Sequence, residues 1–314
     1  MCGHVRNSIY VLSLKMNVSA HECTDIFTFQ ERERFMKIRR SVMAAILLLF
    51  AAAFVYGHGV DAEAASRYTI YVNRKTNIVN VVDTRSGKVV RAMYCSTGRN
   101  YSTIRGTYTT VSKMRWHALY GGVYGQYCMR IHGPYLFHSV PYYRTSKSQL
   151  ETKEYNKLGT QASDGCIRLA VVDAKWLYDN CGVGTKVVIG DTKKLQKPDR
   201  KKLKISTASR TGWDPTDPDP ANPYYPKIKL KKAVSTKIAY GTKTNKKMLK
   251  KLIKVTSRTT STEDLLESVK VKGKVDTAKP GKYKVTYTVT DPKTLLTKSL
   301  KVTFTVTKNE LAAE

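Results

Sequence analysis

The sequence has 314 residues, 41% of them hydrophobic and 10% aromatic, which is enough for packed cores and excludes a disordered chain. Lys and Arg number 55 against 24 Asp and Glu, a formal net charge of +31 at pH 7. That imbalance implies an anionic partner, whether nucleic acid, an acidic membrane or an anionic wall polymer, and composition does not choose among them.

Residues 1–65 bear on compartment. Lys37, Arg39 and Arg40 precede an apolar run over residues 42–55 and then Ala62-Glu63-Ala64-Ala65, the order of a basic region, an apolar region and a small-residue cleavage site. The run is shorter than the roughly 18 residues of a membrane span, so a signal peptide is the better reading and only an uncleaved leader would tie the chain to a membrane. Residues 1–35 lie ahead of the point where such signals begin, and Met36 reads as the true start of an exported chain. Removing the leader takes Cys2 and Cys23 with it and leaves Cys95, Cys128, Cys166 and Cys181. If one of these is a free nucleophile, at most one bridge forms among the other three, and their plainer reading is as small buried hydrophobes. No C-x-x-C or H-x-x-x-H spacing points to a metal.

Beyond the leader the pattern is that of strands. Tyr68, Ile70 and Val72 alternate, as do Val79 and Val81, and Asn73-Arg74 and Arg85-Ser86-Gly87 supply turns, which predicts a β-meander. Thr97-Gly98 and Gly106-Thr107-Tyr108 punctuate the next stretch of chain. Residues 129–138 read as a hairpin that turns at Gly133-Pro134 and delivers His138. Residues 171–180 read as a short helix, with Asp173 near its start, Gly182 past its end and Val172, Trp176 and Leu177 turned to the sheet. Residues 187–189 form a closing strand.

The chemistry concentrates in Ser163-Asp164-Gly165-Cys166-Ile167-Arg168. A thiol beside a glycine suits a nucleophile on a sharp turn flanked by backbone N–H donors, and it needs a base because the thiolate is the reactive form. The candidate base is His138, in Phe137-His138-Ser139-Val140-Pro141-Tyr142. His117, after Trp116, reads as a surface or packing residue. His132 competes because it precedes a glycine.

Together these segments resemble the L,D-transpeptidase catalytic domain, the YkuD family, whose pattern is a strand histidine followed by Ser/Thr-x-Gly-Cys and then Arg or Asn two residues on. Here that pattern falls on His138, Ser163, Gly165, Cys166 and Arg168, and the similarity covers about residues 67–190. The context of His138 matches the family's base strand more closely than that of His132 and lies nearer the cysteine. Two departures stand out. The interval of 28 residues from His138 to Cys166 is longer than is usual, so residues 144–158, polar and lysine-rich, are expected as a surface loop. Asp164 stands where many relatives carry His or Lys.

The resemblance implies a mainly β protein, a catalytic β-sandwich with a short helix, and no metal or organic cofactor. Its partner would be a peptidoglycan stem peptide. Cys166, activated by His138, would attack the L,D-peptide bond of a tetrapeptide stem with release of D-alanine. The amine of a second stem would then resolve the thioester into a 3→3 cross-link. Backbone N–H groups at Gly165 and Cys166 would steady the oxyanion. Arg168 suits a stem carboxylate or a structural bond to backbone. Ser139 and Ser163 orient the site, and Tyr120 and Tyr124 line the cleft or pack. With water as acceptor the same residues give an L,D-carboxypeptidase. A third reading is a wall-binding protein without catalysis. Nucleic-acid binding explains the charge but neither the leader nor the thiol motif.

After a catalytic domain over residues 67–191, composition shifts. Six of the ten prolines lie between Pro198 and Pro226, and residues 192–226 read as a semi-rigid spacer. Residues 227–308 read as a second β unit: Tyr283, Val285, Tyr287 and Val289 alternate after Lys279-Pro280-Gly281, and Val302, Phe304 and Val306 repeat the pattern. This resembles a bacterial immunoglobulin-like β-sandwich. It holds no Cys, His or Trp, and its lysines read either as a solvated face or as an attraction for anionic wall polymers.

Overall fold

Apolar alternation sets the first three strands, β1 (Tyr68–Asn73), β2 (Ile78–Asp83) and β3 (Val89–Gly98), which pair antiparallel in the expected meander. The computed structural model describes residues 67–308, so the leader and the proposed start at Met36 lie outside the described residues. Next come β4 (Gly106–Thr109), β5 (Ser112–Leu119), β6 (Val123–His132) and β7 (Tyr135–Ser139), with β6 and β7 forming the expected hairpin. A short β8 (Leu150–Glu151) runs into helix α1 (Thr152–Tyr155). The remaining elements are β9 (Gln161–Ser163), β10 (Ile167–Leu169), helix α2 (Val171–Asn180) and β11 (Lys186–Gly190).

One hydrogen-bonded path runs β4-β11-β1-β2-β3-β10-β7-β6-β5, with β9 also on β3. Its two ends, β4 and β5, are consecutive in sequence. The Val111 N–H reaches the Arg130 carbonyl at 2.8 Å, and the Tyr108 ring lies 5.3 Å from that of His132. A twisted sheet whose ends meet in this way is curled, and Ile70, Met93, Met129, Phe137 and Val187 fill its concave side. Helix α2 lies where predicted but buries Val171, Ala174 and Leu177; Val172 and Trp176 pack at the margin, the latter against Tyr68.

Two expectations fail. Residues 144–158 are not a surface loop: Leu150 and Tyr155 are fully buried, and β8 and α1 carry them into the core. Nor are residues 192–226 a spacer. They form a strap across the N-terminal sheet domain, in which β12 (Thr211–Gly212) pairs with β8, and Asp214, Thr216 and Asp217 are wholly buried. Leu203 and Ile205 pack against the core, and polar bonds order the rest of this tract. Asp214, Asp217, Asp219 and Asn222 each accept the backbone N–H two residues on, a chain of Asx turns between prolines. Asp214 Oδ2 then accepts the Val171 N–H at 2.9 Å and Thr216 Oγ1 accepts the Val172 N–H at 3.1 Å. The strap thereby caps α2, whose first N–H groups have no partner within the helix.

The C-terminal part contains β13 (Lys227–Leu230), β14 (Lys237–Ala239), helix α3 (Lys246–Lys251), β15 (Ile253–Thr256) and helix α4 (Thr262–Ser268). It closes with β16 (Lys270–Lys272), β17 (Gly281–Thr290) and β18 (Thr297–Thr307). A two-stranded sheet β13-β15 and a four-stranded sheet β14-β18-β17-β16 share one core with Val285, Tyr287, Val289 and Phe304 at its centre. The mainly β expectation holds in both parts, and the two small helices are additions to it.

Candidate active site

Strands β7 and β10 lie side by side and parallel, with Arg168 opposite His138 and Leu169 opposite Ser139. Cys166 immediately precedes β10, and Cys166, His138 and Arg168 all line one cleft of about 470 Å³. The cysteine turn depends on Gly165, whose φ is +144° and whose Cβ, if present, would stand 2.9 Å from Cε1 of Tyr135. Ser163 Oγ accepts the Gly165 N–H at 3.1 Å and donates to the Cys166 carbonyl at 2.6 Å. Thr103 Oγ1 donates to the Gly165 carbonyl at 2.7 Å, so both polar groups of Gly165 are engaged. The Gly165 N–H, one of the two donors expected for the oxyanion, is therefore committed to Ser163.

The Cys166 thiol points to the Pro134 carbonyl at 3.6 Å. Burial raises its pKa, opposed by the Leu136 N–H and by the positive charges of Arg168 and Arg130. His138 is 2% exposed, and its Nδ1 lies 2.5 Å from the Ser139 carbonyl oxygen. A carbonyl only accepts, so Nδ1 carries the proton and Nε2 keeps the lone pair. Burial, and then the Arg168 charge, push the imidazole down to about 3. At neutral pH the resting site is thus a thiol and a neutral imidazole of fixed tautomer.

The other predicted residues divide. Ser139 is buried, accepting the Gln126 N–H and donating to the Val140 carbonyl, both at 2.9 Å, and so fastens β7 to β6. Arg168 Nη1 donates to Glu154 Oε2 at 2.7 Å and to the Ala162 carbonyl at 3.1 Å, the structural alternative weighed for it. Glu154 belongs to α1, inside the segment expected as a surface loop. His132 is exposed and stacks on Tyr108 outside the cleft, while Tyr120 stands at the rim, 89% exposed. Asp164 pairs with Arg99. Cys95, Cys128 and Cys181 are free and buried, and burial pushes the thiols of Cys128 and Cys181 up to about 12.

Sequence reading missed His117 and Arg130. Both line the cleft, and Arg130 donates through Nη2 to Nε2 of His117 at 3.3 Å and through Nη1 to the Gly133 carbonyl at 2.5 Å. Among the described residues Arg130 makes no ion pair with a carboxylate. The β5–β6 register sets His117 opposite Gly125 and Arg130 opposite Ser112, so their meeting depends on side-chain reach and no single motif reveals it.

Residues 67–189 match the L,D-transpeptidase catalytic domain, and residues 228–306 match the bacterial surface protein Ig-like domain. The putative L,D-transpeptidase YciB of Bacillus subtilis (strain 168) is 55% identical over 58 residues, which are 18% of this chain and 29% of that protein. Among solved structures, an L,D-transpeptidase from Mycobacterium smegmatis is 21% identical with a TM-score of 0.33, covering 40% of this chain and 58% of the other. A fused Zn-dependent amidase/peptidase/peptidoglycan-binding domain-containing protein from Clostridium acetobutylicum ATCC 824 is 27% identical with a TM-score of 0.32, covering 44% and 58% respectively. The chain thus spans under a third of the curated relative and somewhat over half of these structures.

Proposed function

We propose, from the premise that residues 67–189 are an L,D-transpeptidase catalytic domain, that the chain is an exported peptidoglycan L,D-transpeptidase with Cys166 as nucleophile and His138 as proton carrier. The observation that carries this reading is the Nδ1–H bond of His138 to the Ser139 carbonyl, which leaves Nε2 as a base in the cleft shared with Cys166. A catalytic domain of this kind joined to a bacterial surface Ig-like domain supports a location outside the cytoplasm.

In this mechanism a base held near pKa 3 does not strip a buried thiol at rest. Proton transfer from Cys166 Sγ to His138 Nε2 accompanies attack on the carbonyl of the L-centre, as negative charge develops on that oxygen. The Cys166 N–H steadies the oxyanion. Collapse breaks the L,D-bond, His138 returns the proton to the departing amine of D-alanine, and a thioester remains. An amine of a second stem attacks the thioester and gives its proton to His138. The 3→3 link then forms and the thiol is restored.

Arg168 is held by Glu154, so Arg130 is the better fork for the terminal carboxylate of the stem. Asp164, the acid lining the cleft, is neutralised by Arg99 and does not compete. With water in place of the second amine, the same steps give the L,D-carboxypeptidase.

The test is mass spectrometry of the chain over residues 67–308 incubated with tetrapeptide-stem muropeptides, beside Cys166→Ala and His138→Ala. Release of D-alanine with a new dimer, absent in both variants, is expected. Release without dimer would select the carboxypeptidase, and activity surviving in His138→Ala would remove His138 as base. No turnover by the intact chain would shift weight to wall binding alone.

A further inference from the structure

The lysines of the C-terminal domain are unevenly spread. Residues 227–308 hold twenty-two Lys and Arg against five Asp and Glu, and Arg258 is the one arginine. Five of the lysines, Lys231, Lys247, Lys250, Lys251 and Lys254, line a groove of about 510 Å³ built from α3, β15, α4 and the chain after β13. Its apolar lining is Ile253, Val255 and Leu266, and no lining residue is aromatic.

This concentration works against the fold that carries it. Lys247, Lys250 and Lys251 stand three and four positions apart on the six-residue α3, a spacing at which like charges weaken a helix. Among the described residues none of the five pairs with a carboxylate, and the contact of Lys250 Nζ is the Leu266 carbonyl at 3.4 Å. Glu263 and Glu267, on α4 beside the groove, are exposed and form no ion pair with them. Repulsion kept without an internal counter-charge has its compensation in an external anion.

We infer that this groove binds a strand of linear polyol phosphate, a polymer with one phosphodiester negative charge per repeat. The site is concave, which fits a strand and not the plane of a bilayer. Without aromatic side chains it offers no platform for stacked bases, the usual means of holding single-stranded nucleic acid. Ammonium groups act as compact point charges that follow phosphates in varied orientations, whereas a planar carboxylate fork calls for arginine. The aliphatic floor meets the CH₂ groups of the polyol backbone. The groove lies within the Ig-like match, so this inference does not depend on the chemistry of Cys166.

The experiment is fluorescence anisotropy of labelled poly(glycerol phosphate) titrated with the full chain, with poly-L-glutamate, oligo-dT and phosphatidylglycerol vesicles as competitors. One variant carries Lys247→Gln, Lys250→Gln, Lys251→Gln and Lys254→Gln. A second removes the same charge elsewhere on the domain, at Lys237, Lys279, Lys282 and Lys301. The groove variant should bind at least about tenfold more weakly, with a slope of log K against log salt shallower by about 3, from roughly 0.7 per single-strand phosphate contact. The distant variant should lose less than about threefold. Equal losses in the two variants would overturn the inference, as would absence of binding by the parent chain or stronger competition by any of the other three polyanions. If the fourfold groove variant melts early, Lys250→Gln with Lys254→Gln makes the same comparison at half the charge. Muropeptide turnover, followed in parallel, should not change in any of these variants.

Discussion

Strand β6 passes directly behind the imidazole, and Gly125 is the residue that allows it. A methyl at this position would stand 3.0 Å from both Cβ and Nδ1 of His138 and 3.1 Å from Sγ of Cys128. Carbon contacts settle at about 3.5–4.0 Å, so Gly125→Ala requires one neighbour to yield by roughly 0.5 Å. Cys128 is fully buried, and His138 is 2% exposed and held by a 2.5 Å bond. The ring is the side that moves, because its other face borders the cleft. Overpacking of this kind destabilises by about 1–3 kcal/mol. A catalytic group displaced by about 1 Å loses on the order of 100-fold in rate, so half that displacement should lower kcat about tenfold, with little change in KM because Gly125 does not line the cleft. The assay is D-alanine release by mass spectrometry at saturating donor, with a thermal melt of the same samples. Adding Cys128→Ala should recover part of the stability and little of the rate. A Gly125→Ala chain with parental kcat and parental melting would refute the reasoning. Full recovery of rate by Cys128→Ala would place the strain on the sulfur instead of the ring.

Glu154→Gln removes the charge that holds Arg168, whose side chain is 11% exposed, and should destabilise the catalytic domain by about 1–3 kcal/mol in urea titration with a severalfold loss of kcat. Arg130→Gln should raise KM about tenfold to a hundredfold for a stem ending in free D-alanine while leaving the corresponding C-terminal amide unchanged; equal effects on both would assign Arg130 elsewhere. Two buried groups should give opposed pH dependence. Asp214 is raised from 3.8 to about 6, so it binds its proton more tightly when folded, and its contribution is full below about pH 4 and lost as pH rises through 6. His138 is lowered from 6.5 to about 3, so its contribution is full above about pH 6.5 and lost as pH falls toward 3. Urea titrations at pH 4, 5, 6 and 7 should show that Asp214→Asn steepens acid destabilisation between pH 4 and 6 and that His138→Ala flattens it.

Much of this fold can be read from period-two alternation and turn residues. The meander, the hairpin that delivers His138, helix α2 and strands β17 and β18 follow from such local patterns. The cysteine motif is equally local, because Ser163 and Gly165 act within three residues of the thiol. What escaped is set by distant pairing. Arg168 meets Glu154 only because a polar segment hides Leu150 and Tyr155, two anchors too far apart to show a period. Arg130 and His117 stand five positions apart in the β5–β6 register and meet only through their side chains. The strap escapes a measure of order based on apolar content, because Asp214, Asp217, Asp219 and Asn222 each build a turn by accepting the N–H two residues on, while only Leu203 and Ile205 pack against the core. Helix α4 announced itself in Ser261-Thr262-Glu263-Asp264, where Ser261 accepts the Asp264 N–H, a cap that the surrounding strand pattern obscured.

The strap also changes where this molecule can be cut. A boundary drawn by family likeness falls at residue 189, yet the acceptors that close the first turn of α2 come from Asp214 and Thr216. Recombination that traded surface modules by joining at residue 190 would leave an enzyme with an open helix end and a bare flank over β8. A join after Pro226 would leave both intact. For this chain the folded unit that begins at residue 67 extends past the matched region, and a gene fusion joined at residue 190 should melt earlier than one joined after Pro226.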